Sequence, residues 1–167
     1  MADIRTVVED FRLDYEGLFN ATELYRIIDQ FFRERHYDKR EATNQEHLKK
    51  DGSKYVEIEL LPWKKYTEYL NSVVRIRWKM FDLREVEVKQ HGRVVKLNKG
   101  RIQMIFTGFI ITDYENKWEE GPLYYLVRVV YDKYVHREYR EQHHQLLKDI
   151  ITMLYDQIQA YLNLYKY

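Results

Sequence analysis

Histidines are the first residues in this sequence that could do chemistry, because imidazole binds metals and exchanges protons near neutral pH. Three of the 6 histidines, His136, His143 and His144, lie close together near the end of the chain. Metal sites on helices usually have two ligands three or four positions apart, as in the HExxH motif, and no two histidines have that spacing. The sequence therefore predicts no metal site.

Two acidic residues interrupt apolar patterns and could serve as general bases if they were buried. Glu9 lies among the apolar residues of one predicted strand, and Asp82 interrupts another together with Arg84. A strand end in solvent, or an ion pair between Asp82 and Arg84, explains these residues equally well. The sequence has no Ser-His-Asp arrangement, phosphate-binding loop, dinucleotide fingerprint or cysteine. It therefore favours a non-catalytic protein without a cofactor and identifies no catalytic residue.

A row of cations offers a different kind of chemistry. Arg75, Arg77 and Lys79 alternate along one strand and could form an anion-binding row. A solvated face on which neighbouring strands supply Glu57 and Glu59 is the favoured interpretation, because the formal net charge is only +1. The nearby aromatic and apolar residues occupy the alternate positions of this strand and therefore face the other side of the sheet. Because they do not share a face with the cations, we expect no nucleic-acid partner.

Composition bounds the remaining classes of protein. A chain of 167 residues predicts one domain, 1–167, and the absence of cysteine excludes disulfides and thiolate chemistry. Charged residues interrupt the first ten positions, which lack the apolar core of a signal peptide. No window reaches the roughly 18 uninterrupted apolar residues of a transmembrane segment. We therefore expect a cytoplasmic protein.

The elements that must position these residues include one long C-terminal helix. Apolar residues recur at spacings of three and four from about Arg137 to Lys166, which is typical of one buried helical stripe. A helix from Glu138 to Tyr165 would be about 40 Å long and would cross several strands of a sheet. The predicted stripe consists of Tyr139, His143, Leu147, Ile150, Leu154, Ile158, Tyr161 and Tyr165.

The first third of the chain predicts a strand, a helix and a loop. Residues 4–15 alternate between apolar and polar side chains, as a half-buried strand does. Asn20 is the predicted N-cap of a helix that ends near Arg35, with Glu23 reaching back in a capping box. Residues 36–53 lack apolar periodicity, so we expect a solvated loop there.

The centre of the chain predicts antiparallel strands at 54–66 and 69–89. A two-residue turn after the second strand pairs Val88 with Val95 across a hairpin. This register, continued unchanged, would put the apolar residues of the strand 101–113 on the charged face of the sheet.

One extra residue at 98–100 would restore the match between the two strands. We expect Gly100 to adopt a positive φ in this bulge. A last strand is predicted at 123–135.

These elements predict an α+β fold in which a curved antiparallel sheet of about five strands, in the order β-α-β-β-β-β-α, packs against the long C-terminal helix. This order of elements resembles the helix-grip fold of the START and polyketide-cyclase-like superfamily. Members of that superfamily bind lipids, sterols, hormones or polyketides between sheet and helix, and a minority are enzymes. The resemblance implies a small-molecule binding protein.

Aromatic content points in the same direction, because 16 tyrosines and 3 tryptophans have polar tips that need partners. We expect an apolar or aromatic ligand between the sheet and the C-terminal helix. The alternative is a protein-interaction or assembly module that forms a homo-oligomer through a Tyr-rich surface or a sheet edge and has no cavity. The predicted ligand-binding residues are Trp78, Met104, Phe106, Tyr125, Tyr131 and Leu154.

Overall fold

A computed structural model describes residues 3–112, 126, 130 and 136–165. These residues include a curved, open antiparallel sheet and two helices of 14 and 28 residues, which confirms the predicted α+β class with one strand more than expected. The strands are β1 (Asp3–Phe19), β2 (Glu41–Leu48), β3 (Lys54–Leu60), β4 (Trp63–Lys65), β5 (Leu70–Gln90) and β6 (Arg93–Thr112), and the helices are α1 (Ala21–Glu34) and α2 (His136–Asn163).

The sheet is built around the long hairpin of β5 and β6, which are 21 and 20 residues in length. The strand order is β1-β6-β5-β3-β2, and β4 pairs with β5 beyond the end of β3. All of these pairs are antiparallel. Strands β1 and β2 are therefore the two edges of the sheet within the described part of the chain.

Both helices pack on the same face of the sheet, which we call the inner face. Even-numbered residues of β5 from Leu70 to Met80 are buried there, while the odd-numbered residues between them are half-buried on the outer face. The ring of Tyr25 on α1 stacks on Trp78 with centroids 6.5 Å apart. The inner face and the two helices therefore enclose one hydrophobic core.

The hairpin register has the predicted pairing at its tip and a bulge on the other strand. Val88 lies opposite Val95 as expected, and the register then shifts between Phe81 and Arg84. The extra residue therefore lies in β5, where Asp82 has a φ of 53°, and the prediction of a bulge within 98–100 is wrong. This shift still places the apolar residues of the two strands opposite each other on the inner face.

Gly100 lies opposite this bulge and does not have a positive φ, contrary to prediction. A Cβ at Gly100 would lie 2.8 Å from the carbonyl oxygen of Phe81 and 3.2 Å from the Cα of Leu83. The glycine is therefore required because two backbones approach each other closely, and not because its own conformation is left-handed.

The predicted loop at 36–53 is wrong, because β2 occupies Glu41–Leu48 within it. This edge strand pairs with β3 through its backbone, and nearly all of its side chains are exposed, including Leu48 at 71%. A strand whose two faces are both exposed to solvent has no alternation of apolar and polar residues, so sequence periodicity could not detect it.

Helix α1 begins at the predicted cap. The Asn20 side chain accepts a hydrogen bond from the Glu23 backbone N–H at 3.1 Å. The predicted capping box is not formed. The Glu23 carboxylate instead accepts hydrogen bonds from the hydroxyl groups of Tyr161 and Tyr165, which lie near the end of the chain. A long-range contact has replaced the local one.

Helix α2 confirms the predicted C-terminal helix and its buried stripe. Leu147, Leu154 and Ile158 are almost completely buried, and Tyr139 and His143 are half-buried. No helix within the described residues is both long enough and apolar enough to cross a membrane.

The predicted strand at 123–135 falls largely outside the described residues. The two positions described there, Leu126 and Val130, are helical and exposed, so the strand prediction is wrong at both of them. Alternation between apolar and polar residues over a short segment did not distinguish a strand from a helix there.

Candidate functional site

Four of the predicted ligand-binding residues are brought together in the core. Trp78, Met104, Phe106 and Leu154 are each 0% exposed and belong to one cluster between the sheet and the helices. Trp78 lies directly opposite Met104 across the β5–β6 pair. The other two predicted residues, Tyr125 and Tyr131, lie outside the described residues. Contact of these positions with a ligand stays a prediction.

Trp78 has one unusual property for a core residue. Within the described part of the chain, its buried indole Nε1 has no hydrogen-bond partner. A buried N–H group without an acceptor costs roughly 1–3 kcal/mol, and buried tryptophans usually satisfy this donor. The ring of Tyr25 stacks on this indole, so Tyr25 connects Trp78 to the cleft described next.

A cleft of about 350 Å³ lies between α1 and the residues that connect it to the sheet. We call it the α1 cleft. Its walls are aromatic and aliphatic, and four charged side chains surround its mouth. The apolar lining is Tyr25, Ile28, Phe32, Tyr37, Leu60 and Pro62, and the charged lining is Asp29, Arg33, Asp38 and Lys39.

Tyr37 is a buried residue of the α1 cleft that is fixed by hydrogen bonds. Its hydroxyl group lies 3.1 Å from Ser72 Oγ and 3.4 Å from the hydroxyl group of Tyr66. Burial raises the pKa of Tyr37 far above its ordinary value of 10.0. The phenol therefore stays neutral at physiological pH, and it serves as a wall of the cleft and a hydrogen-bonding group.

The charges at the mouth are partly neutralised within the cleft. Asp29 forms ion pairs with Arg33 at 2.7 Å and with Lys39 at 3.1 Å. The Lys39 ammonium also lies 4.1 Å from the centroid of the Tyr25 ring. Partial burial by itself would lower the pKa of Lys39, but its hydrogen bonds with Tyr25 and Asp29 outweigh that effect and raise the pKa. Lys39 is therefore held in its charged form.

Asp38 also lies at this mouth. Its carboxylate has no partner within the described residues. Its backbone pairs with Trp63 in an isolated bridge, which holds Asp38 at the edge of the cleft. The exposed side chain is therefore available to a polar group on a bound molecule.

The basic row on the outer face is matched by carboxylates, as the favoured interpretation of the sequence predicts. Arg75 donates to Glu59 at 2.8 Å. Lys79 lies opposite Glu57 in the β3–β5 pair, and Arg77 lies opposite Glu59. Acids on the neighbouring strand therefore offset the row, and it is a weak candidate for an anion site.

The acidic residues singled out in the sequence do not form a buried general base. Glu9 is exposed. Asp82 is exposed and pairs with Lys49 at 2.6 Å, while Arg84 pairs with Asp51 at 3.0 Å, so the alternative of an ion pair between Asp82 and Arg84 is not what the structure shows. Among the described residues, no group of three His, Cys, Asp or Glu side chains could hold a metal ion.

Sequence reasoning missed the α1 cleft because its residues come from segments with different predicted roles. Tyr25 and Phe32 belong to one side of a helix, and residues 37–39 were assigned to a solvated loop. The one available signal was the aromatic side chain of Tyr37 inside that polar segment.

Comparison with known proteins identifies no relative of this chain, because no family model, curated protein or solved structure matches it.

Proposed function

We propose that this protein binds a small apolar or aromatic molecule without transforming it, and that the ligand enters through the α1 cleft. The observation that carries the proposal is the cleft itself, whose volume of about 350 Å³ falls within the roughly 300–1,000 Å³ of small-molecule sites. A small number of polar groups in a mostly apolar lining is typical of such sites, and the cleft has six apolar or aromatic residues and four charged ones.

The lining indicates the chemistry of the ligand. The rings of Tyr25 and Phe32 offer flat apolar surfaces, which favour an aromatic or fused-ring molecule. The unpaired carboxylate of Asp38 at the mouth favours a hydrogen-bond donor or a cationic group at one end of that molecule. Trp78 lies immediately behind Tyr25, so a ligand in the cleft would change the environment of its indole.

Binding without catalysis is supported by the two perturbed groups of the cleft. The raised pKa of Tyr37 keeps its phenol neutral, and the raised pKa of Lys39 keeps its ammonium charged. Neither residue is therefore activated as a general base, since the phenolate of Tyr37 and the neutral amine of Lys39 are both disfavoured.

Trp78 fluorescence provides a direct test. Replacing Trp63 and Trp118 with Phe leaves Trp78 as the single tryptophan, and the probe is the uncharged fluorescent dye N-phenyl-1-naphthylamine, which carries an N–H donor. We expect a saturable, one-to-one change in the emission of Trp78. A response that does not saturate, or that requires several dye molecules per chain, contradicts the proposal.

Two matched substitutions locate the bound dye. Tyr25→Ala should weaken binding at least about tenfold, which corresponds to about 1.4 kcal/mol, because it removes an aromatic wall of the cleft. Tyr55→Ala, a tyrosine substitution on the outer face of β3, should leave binding unchanged. Circular dichroism must show that both variants remain folded. Equal weakening by both substitutions would place the dye elsewhere.

A protein-interaction or assembly module is the second candidate, and edge strand β2 favours it. Its side chains are exposed on both faces, so a partner strand could pair with its outer edge without a steric barrier. Native mass spectrometry of the purified protein separates the two functions. A co-purified small molecule supports ligand binding, whereas a stable oligomer with no bound molecule supports assembly.

A further inference from the structure

Strand β1 has a regular segment at the edge of the sheet. Residues 11–19 pair with β6 without a register shift, and within the described part of the chain no strand pairs with their other side. The strand is irregular just before this segment, where the register shifts between Val8 and Phe11 and Asp10 has a φ of 43°. The Asp10 carboxylate lies 3.7 Å from Arg77 on β5. A regular row of backbone donors and acceptors therefore begins at Phe11.

The side chains of this segment have a symmetrical order. Arg12 and Asp14 lie two positions apart on the same face, form an ion pair at 2.9 Å and are 57% and 54% exposed. Leu13 between them points to the other face and is buried in the core. From Phe11 to Tyr15 the order is aromatic, basic, aliphatic, acidic and aromatic. Reversed about its central leucine, this order matches each charge with the opposite charge.

We propose that a second copy of this chain pairs with this edge, β1 against β1, in an antiparallel register centred on Leu13. Residues that lie opposite each other must have side chains on the same face, so the two-fold axis of such a pair passes through one residue. Centring on Leu13 places Arg12 of each copy opposite Asp14 of the other. Registers centred on Arg12, Asp14, Tyr15 or Glu16 each place like charges opposite each other, which destabilises a strand pair.

The aromatic residues at the ends of the symmetrical order also gain partners in this register. Phe11 is 36% exposed, and its ring lies on Tyr155 of α2 with centroids 4.5 Å apart. Centring on Leu13 places Phe11 opposite Tyr15 of the second copy, and aromatic pairs across strands stabilise sheets. Because Tyr155 contacts Phe11, the contact between the copies would include α2 as well as β1.

Charge favours a second copy over an unrelated strand. Backbone pairing alone would accept any extended peptide, whereas Arg12 and Asp14 are matched by the same two residues in reverse order. The formal net charge of +1 gives little repulsion between two copies.

This association is independent of ligand binding in the α1 cleft. Strands β6 and β5 separate β1 from Leu60 on β3, which lines the cleft. The cleft would therefore stay open in the dimer.

Sedimentation velocity of the purified full chain tests the proposal. We expect a monomer–dimer equilibrium with a Kd below about 100 μM. Arg12→Asp and Asp14→Arg should each weaken the dimer at least about tenfold, because each places like charges opposite each other. Asp3→Arg makes the same charge reversal in the exposed pair of Asp3 and Arg5, which lies on β1 before the irregular residues, and it should leave the Kd unchanged.

A mixture of the two single variants tests the contact between the edges. One variant has acids at both positions and the other has arginines at both, so only unlike chains are complementary. The mixture should form a one-to-one heterodimer at concentrations at which each variant alone is monomeric. The ion pair that each variant loses is exposed, so both should remain folded, as circular dichroism can establish.

A chain that carries both reversals, Arg12→Asp and Asp14→Arg, tests the register. Centring on Leu13 again places opposite charges together, so this chain should dimerise like the parent. It also provides the readout if one of the single variants does not fold.

Four outcomes would overturn the proposal. They are a parent chain that remains monomeric at about 100 μM, a dimer that Asp3→Arg weakens as much as Asp14→Arg, a mixture of the single variants that stays monomeric, and a double reversal that does not restore the dimer.

Discussion

The hydroxyl group of Tyr161 lies 3.1 Å from the carboxylate of Glu23, and this hydrogen bond joins the C-terminal helix to the first turn of α1. The same hydroxyl lies 3.3 Å from the backbone oxygen of Asn20, the N-cap of α1. The two helices are thus joined at the point where α1 begins. Together they close the inner face of the sheet.

Removal of this hydroxyl group should weaken the contact between the helices. Tyr161→Phe should lower the free energy of unfolding by about 1–3 kcal/mol, because the deleted hydroxyl donates a hydrogen bond to a charged acceptor. Urea denaturation measures the change. Tyr55→Phe removes a hydroxyl that bonds to Glu57 within one strand, and it should cost less than about 0.5 kcal/mol. Equal effects would mean that the helix contact adds no stability.

Stability should fall at alkaline pH because of buried tyrosines. Burial raises the pKa of Tyr37 and Tyr161 above the ordinary value of 10.0 in the folded chain. Their contribution to stability is fully present below about pH 10 and is lost as the pH rises, because the unfolded chain then releases protons that the folded chain retains. The melting temperature should therefore stay constant up to about pH 10 and drop above it. Tyr37→Phe should make this drop smaller, and an unchanged drop would contradict the assignment.

Gly108 permits close contact between β6 and α2. A Cβ at this position would lie 2.7 Å from Ile151 Cδ1 and 3.1 Å from Leu147 Cδ2. Gly108→Val should therefore destabilise the fold by about 1–3 kcal/mol through overpacking, as measured by urea denaturation. Ile151→Val removes the methyl group that would collide, so the double variant should recover part of the loss. Purely additive costs would show that the two residues do not meet.

Substitutions on the buried side and on the exposed side of α2 should differ greatly in their effect on the free energy of unfolding. Leu154 is 0% exposed, and Leu154→Ala should cost roughly 2–5 kcal/mol because it leaves a cavity in the core. Asp156 is exposed, and Asp156→Ala should change the stability by less than about 0.5 kcal/mol. Thermal or urea unfolding measures both effects, and similar costs would contradict the orientation of the helix.

Long periodic segments could be predicted from the sequence because their patterns report burial directly. The stripe of α2 and the alternation along β5 are each repeated many times, so one odd residue does not obscure them. The pairing of Val88 with Val95 was also local, since a two-residue turn sets the register of a hairpin. The sequence by itself therefore determined the fold class and which faces of these elements are buried.

Only the tertiary structure decided the features that depend on contacts between distant residues. Strand β2 has no apolar pattern because its backbone alone joins it to the sheet. The bulge could have restored the register from either strand, and the close approach of Phe81 to Gly100 places it on β5.

The candidate site also depends on long-range contacts. The α1 cleft exists because helix, loop and strand residues as far apart as Tyr25 and Leu60 meet in space. Periodicity along one segment reports whether a side chain is buried, but a binding surface requires side chains from several segments at fixed positions, and those positions are set by the packing of the whole sheet.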